Sequence, residues 1–164
     1  MNLVGIGYDI HSFAPPEAGR PLVLGGVTIA HSRGLDGHSD ADVLSHAVAD
    51  AVLGAIGERD IGHHFPNTDE SIRNIRSLEI VRKSADLVAG QGGRIINIDA
   101  SLIAEAPKIG PHLEAMRRNL AEALGIDPRR IGIKATTNER LGALGREEGI
   151  AAMAVASVEL PEEP

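Results

Sequence analysis

The spacing of apolar side chains divides the chain into strands and helices before any single residue is considered. Leu3, Val4 and Ile6 lead into Tyr8, Asp9 and Ile10 and predict a strand over residues 2–10, followed by a loop from Ser12 to Pro21 containing Pro15-Pro16 and Gly19. Leu22 to Ile29, apolar around Gly25-Gly26, predicts a short hairpin arm. Ser39 stands three residues before Asp42, a side-chain capping pattern for a helix over Ala41–Ile56. From Ser71, the residues Ile72, Ile75, Leu78, Val81 or Arg82, Ala85 and Val88 recur at helical spacing and stop before Gly90 and Gly92-Gly93, a second helix. Ile96, Ile98, Ala100 and Leu102 alternate with Asn97, Asp99 and Ser101, which predicts a half-buried strand over Arg94–Ile103. Pro111 opens a third helix through Leu113, Met116, Leu120 and Leu124, stopped by Gly125. Ile131–Thr136 is a further strand, and Ile150–Leu160, uncharged until Glu159, predicts a central strand buried on both faces.

These elements make a single α/β (α+β) domain over residues 1–164: a mixed sheet of about four main strands, helices packed on one face, and a small hairpin. The length of 164 residues agrees with one domain, and no internal repeat or low-complexity segment divides it. No apolar run approaches the ~20 residues needed to span a bilayer. Only Tyr8, Phe13 and Phe65 are aromatic, so the core is filled by Ala, Val, Ile and Leu, small side chains that suit close backbone approach or subunit packing. A formal charge of −7 argues against nucleic acid and anionic membrane as partners, which require a basic surface. Without cysteine, any transition-metal site must be built from histidine and carboxylate. Met1–Gly7 carries neither a basic segment nor an apolar signal core, so a cytoplasmic location is the expectation.

Within GIGYDIH, the third glycine of a dinucleotide fingerprint would fall at Ile10 and no helix pattern follows, which excludes that reading. Asp9 and His11, two apart on a strand, project from the same face and can converge on one ion, although a lone Asp-x-His is more often a solvated strand end. In GHSDADVLSHAVAD, His38, Asp42, His46 and Asp50 recur every four residues along one helical stripe. Their neighbours Ala47, Val48, Ala51 and Val52 are apolar, so these polar groups need hydrogen bonds or a metal. Asp9, His11 and His46 together form the two-imidazole, one-carboxylate set of a catalytic zinc with an open position, with Asp42 or Asp50 available to the outward imidazole N–H. DIGHHFPNTD, with Asp60, Gly62 and Phe65, suits a polyol phosphate as well as it suits an ordinary surface loop. AEAPKIGPH places Lys108 before a helix N-terminus that favours anions, or is a plain connection. KATTNERLGALGREEG brings Thr136, Thr137, Glu139 and Arg146, groups that suit a hydrated Mg²⁺ on phosphates or a solvated loop.

GIGYDIH, LGG, HSDADVLSHAVADAVLGA, DIGHHFP, APK, KATT and GREEGIA occur in the order and spacing of the 2-C-methyl-D-erythritol 2,4-cyclodiphosphate synthase family, which the chain resembles over nearly its whole length. The resemblance implies a homotrimeric lyase of non-mevalonate isoprene biosynthesis that cyclises 4-diphosphocytidyl-2-C-methyl-D-erythritol 2-phosphate and releases CMP. It implies Zn²⁺ on Asp9, His11 and His46, and Mg²⁺ or Mn²⁺ on Glu139. His38 and Ser39 would meet the methylerythritol phosphate, and Asp60, Ile61, Gly62, Phe65, Asn67 and Asp69 the sugar-alcohol pocket. Ala104, Pro107, Lys108 and Ile109 would meet the cytidine end, and Thr136 and Thr137 the diphosphate, with Ala135 and Arg146 as further substrate contacts. His38 and Thr137 resemble the positions that stabilise the transition state. Asn67 stands where the family has Asp, Asn138 interrupts a TTTE run, and Ala143 replaces a frequent aromatic associated with an isoprenoid-diphosphate cavity along the trimer axis, which weakens the expectation of that second ligand. Residues 104–109 lie far in sequence from the zinc residues, so active sites between subunits are expected. Two other functions fit the same residues: a zinc-dependent phosphohydrolase using water in the open position, and a non-catalytic trimeric protein that binds nucleotides or isoprenoid phosphates.

Overall fold

The structure, a computed structural model, describes residues 1–66, 68–70, 73 and 75–162. Strand β1 (Asn2–Ser12) alternates along its length, with Leu3, Gly5, Gly7, Asp9 and His11 turned to one face and Val4, Ile6, Tyr8 and Ile10 exposed on the other. The helix α1 (Val43–Ala55) lies on the first face. A Cβ on Gly5 would overlap the Ala51 carbonyl oxygen, and one on Gly7 that of Ala47, so the two glycines set how closely helix and strand approach. This is the physical reason for the GIG sequence.

The hairpin strands β2 (Leu22–Leu24) and β3 (Val27–Ile29) are joined by Gly25-Gly26, both at positive φ as a two-residue hairpin turn requires. Asp42, fully buried, caps α1: its carboxylate accepts from Ser45 N at 3.1 Å and Ser45 Oγ at 2.7 Å, and from Gly25 N and Gly26 N of the hairpin at 2.8 and 2.7 Å. The helix cap is therefore Asp42 rather than Ser39, because only the Asp42 carboxylate reaches the amide three residues on. Burial, with the nearby Asp40 charge, pushes the Asp42 carboxyl up against these four donors. It follows that His38 and Asp42 precede the helix, and of the expected stripe only His46 and Asp50 lie on α1.

After α1 come a short helix α2 (Ile61–His64) and α3 (Ser77–Gly90), which begins later than periodicity predicts; Ser71 and Ile72 fall outside the described residues. Strand β4 (Arg94–Ile103) follows, with an irregularity between Ile95 and Asn97 that turns Ile95 into the core and leaves Ile96 half-buried, so the inward series is Ile95, Ile98, Ala100 and Leu102. A 3₁₀ turn over Gly110–His112 leads into α4 (Leu113–Leu124), then β5 (Ile131–Thr136), the one-turn helix α5 (Gly142–Gly145) and β6 (Gly149–Glu159).

The four long strands form a mixed sheet in the order β1-β6-β4-β5, antiparallel except for the β4-β5 pair, while β2 and β3 pair apart from it. The helices cover one face, and the core of Leu, Ile, Val and Ala lies between. Strand β6 is central, yet it is covered on one face only: Met153 is 45% and Val155 42% exposed, beside Ile6 and Val4 of β1 at 66% and 69%. The run is continuously apolar because its outward positions carry Ala151, Met153 and Val155, not because helices cover both sides. Among the described residues no helix is long and apolar enough to cross a membrane.

Candidate functional site

Asp9 and His11 continue the inward face of β1 beyond the glycines, where α1 brings His46 over them. Asp9 Oδ2 lies 2.9 Å from His46 Nδ1 and 3.0 Å from His11 Nε2, and the two imidazole nitrogens are 3.3 Å apart. His46 is buried, and Asp9 and His11 are half-buried. All three donor atoms fall within 4.8 Å of one another.

Groups outside this cluster fix which nitrogen of each ring carries a proton. His11 Nδ1 lies 2.6 Å from the Asp36 carbonyl oxygen, which can only accept, so Nδ1 donates and Nε2 is bare. His46 Nε2 lies 2.9 Å from Ser77 Oγ and 3.2 Å from Ser39 Oγ. Ser77 Oγ in turn donates its hydroxyl hydrogen bond to the Asp40 carboxylate in a very short contact, which leaves Ser77 Oγ to accept from His46 Nε2–H. His46 Nδ1 is thus also bare. Three lone-pair atoms then face one another with no proton between them, an arrangement that needs a cation or the uptake of a proton. Ligand atoms bound tetrahedrally about 2.0–2.1 Å from zinc sit about 3.3 Å apart, close to the spacing found here.

Without a metal, imidazole protons take the place of the cation. Burial by itself raises the Asp9 carboxyl, but hydrogen bonds and charge from His11 and His46 outweigh it and hold the group well below the usual carboxylate range. Burial lowers His11, yet Asp9 and the Asp36 carbonyl raise it on balance, so a proton settles there when no metal does.

A cavity of about 520 Å³ opens over the cluster, lined also by His38, Ser39, Ile61, Gly62 and Phe65. Asp60 is turned to another task, capping α2 through His63 N at 3.0 Å. Asp50 accepts from Ile61 N at 2.8 Å and so ties α2 to α1, and Asp42 serves the hairpin; neither meets the outward imidazole N–H, which goes to Ser77. Burial, together with the Asp60 and Asp9 charges, raises the Asp50 carboxyl on balance despite the Ile61 amide. Asp69 lies in the exposed loop that follows, and Asn67 is outside the described residues.

Ala104, Pro107, Lys108, Ile109, Ala135, Thr136 and Thr137 line a second cavity, of about 340 Å³. Glu139 is joined to it by the Thr137 hydroxyl, which donates to Glu139 Oε1 at 3.3 Å, whereas Arg146 pairs with Glu148 at 2.7 Å and lines neither cavity. Through the register His11 with Ile150, Ile103 with Ala151, and Ile103 with Thr136, both groups reach the same end of the sheet. They occupy opposite edges, three strand spacings or about 14 Å apart, so one chain does not bring His38 and Thr137 together. A roomier cavity of about 700 Å³, between the ends of α3 and α4, holds none of these residues. Sequence reasoning missed Asp36, Asp40 and Ser77. Asp40 stood inside the HSDAD motif, but Ser77 lies 31 residues from His46 and no spacing pattern joins them.

Residues 2–159 match the YgbB family. A 2-C-methyl-D-erythritol 2,4-cyclodiphosphate synthase of Akkermansia muciniphila is 64% identical over 161 residues, 98% of this chain and 94% of that protein. Among solved structures, the bifunctional IspDF of Campylobacter jejuni superposes with a TM-score of 0.92 at 41% identity, covering 99% of this chain and 43% of that longer one. The CDP complex of IspF from Plasmodium falciparum superposes at 0.83 with 32% identity, over 99% of this chain and 97% of that one.

Proposed function

The chain belongs to the YgbB family, and from that premise we propose that it catalyses the lyase reaction for which its relatives are named. It closes 4-diphosphocytidyl-2-C-methyl-D-erythritol 2-phosphate into 2-C-methyl-D-erythritol 2,4-cyclodiphosphate and releases CMP, a step of non-mevalonate isoprenoid synthesis. The observation that carries this reading is the Asp9, His11 and His46 cluster, with both bare imidazole nitrogens turned inward beneath a cavity.

The reaction forms a bond from a 2-phosphate oxygen to the β-phosphorus and breaks the bridge to the α-phosphorus, whose oxygen leaves with CMP. The attacking phosphate is already ionised near neutral pH, so no general base is needed and the protein's task is to fold the substrate back in line. His38 and Ser39 suit the methylerythritol phosphate, with Ile61, Gly62 and Phe65 walling the polyol and Asp60, Asn67 and Asp69 on the adjoining segment. Lys108 and the backbone of 104–109, with Ala135, suit the cytidine end, while the Thr136 and Thr137 hydroxyls donate to diphosphate oxygens. His38 and Thr137 hold the charge that develops during transfer, while Arg146, paired with Glu148 and outside both cavities, would contact substrate only where a second chain completes the site. Zn²⁺ on Asp9, His11 and His46, with Mg²⁺ or Mn²⁺ on Glu139, would supply Lewis-acid neutralisation of the phosphate oxygens.

The working form is a homotrimer with each site shared between chains. Two observations support it: the apolar strip of Val4, Ile6, Tyr8, Ile10, Met153 and Val155 on the uncovered face, and the separation of the two cavities across the sheet. A cytoplasmic location accords with the absence of a membrane-crossing helix among the described residues. Phosphorus NMR of the product, with the metal content of the purified chain, tests the activity. Expected are a cyclic diphosphate, CMP, bound zinc and no ¹⁸O taken from labelled water; label in the product would identify a hydrolase instead.

A further inference from the structure

The segment that joins the diphosphate-binding threonines to α5 has an unusual backbone. Leu141 N donates to Asn138 O at 2.9 Å, closing a turn whose central residues, Glu139 and Arg140, have φ of 50° and 61°. Side chains with a Cβ resist this left-handed conformation, and neither residue is glycine or asparagine. Such a turn persists where its surroundings over-determine it. The Asn138 side chain supplies one tie, to Leu141 O at 2.8 Å. The other comes from Glu105, whose Oε1 accepts from both Asn138 N at 2.9 Å and Arg140 N at 3.0 Å. The preceding residue, Ala104, donates its own N–H to Thr136 O at 2.9 Å. The end of β4 is thus stitched to the end of β5 and to the turn beyond it.

We propose that Glu105 is a positioning residue of the reaction: its carboxylate holds the 138–141 turn so that the Thr137 hydroxyl and the Glu139 carboxylate stay in register with the cytidine loop. It acts through the two amides and touches no reacting atom. The proposal rests on the reading that residues 104–109 and 136–139 take the cytidine diphosphate. Loss of the tie displaces Thr137 and Glu139 from the geometry of phosphoryl transfer more than it weakens nucleotide binding.

The test compares E105A, E105Q and E105A/R140G in the full-length protein. E105A is expected to lower kcat about 10- to 100-fold while KM moves less than about threefold. E105Q keeps an oxygen acceptor and recovers most of the loss, and glycine at position 140 relieves the strained φ and recovers part of it. Amide signals of Asn138 and Arg140, recorded by ¹⁵N-edited NMR, should shift strongly in E105A and little in E105Q. The proposal is overturned by an unchanged kcat in E105A, by a rise in KM alone, by equal losses in E105Q and E105A, or by unmoved amide signals. If the parent chain makes no cyclic product, the functional reading fails, and the amide signals still decide whether Glu105 holds the turn.

Discussion

The two edges of the sheet present opposite designs. At the β1 edge, the three candidate metal ligands come from a regular strand and a buried helix, and Asp36, Ser39, Asp40 and Ser77 orient both imidazoles. At the β5 edge, Thr136, Thr137 and Glu139 stand exposed on a turn at the end of a strand, tied by a few hydrogen bonds. The first is preorganised within one chain. The second offers donors on an exposed turn beside an open cavity, held by fewer contacts. On the proposed reading, a site that folds a long anionic substrate back on itself gains from joining a rigid metal half to a wall supplied by a second chain.

Substitution at the metal edge tests that contrast most severely. H46A removes one of three protein ligands and should cut turnover by about 10³-fold with loss of bound metal, measured by product formation and metal analysis, while CDP binding at the other edge persists. If CDP binding vanishes as well, the two edges are not independent. Mixing H46A chains with T137A chains comes next: where each site is formed between neighbouring chains, a mixed trimer keeps both residues intact at about one site in three, so about a third of parental activity should return in verified mixed trimers. No recovery there would mean that each chain builds its own site.

S77A leaves the three ligands in place but removes the acceptor of His46 Nε2–H, so metal affinity should fall about 10- to 100-fold in a chelator competition. An unchanged affinity would show that burial and the Ser39 hydroxyl orient the ring without Ser77. The smallest effect expected is on pH dependence in the metal-free chain. Asp9 is held below its ordinary 3.8, so its stabilisation is present above that value and is lost as pH falls through the folded one. His11 is raised above 6.5, so its stabilisation is complete below 6.5 and is lost as pH rises through the folded value. Urea midpoints should therefore be highest between about pH 4 and 6.5, with D9N flattening both flanks.

Much of this was legible from residue order. Apolar strand runs gave β1 and β5, and period-two alternation gave β4, within a residue or two of their ends, and the convergence of Asp9 and His11 followed from their spacing on a strand. Helix ends were less legible. Ser39 and Asp42 are both capping types, and which one caps depends on which side chain reaches an amide that folding presents. The function of Gly5 and Gly7 was not legible either, since a glycine pair reads as a turn or a phosphate loop until a helix is seen lying on it.

What the sequence determined by itself is the set of local preferences: strand faces, helix stripes, the absence of cysteine and the chemistry available to each side chain. Only the tertiary structure decided that Ser77 and Asp40 stand behind His46, that Glu105 reaches the turn at Asn138 and Arg140, and that β6 leaves one face open. The physical reason is the range of the forces. Backbone sterics and periodic burial act over a few neighbouring residues, whereas a hydrogen bond across 31 or 33 positions exists only after chain packing has brought its two ends within about 3 Å.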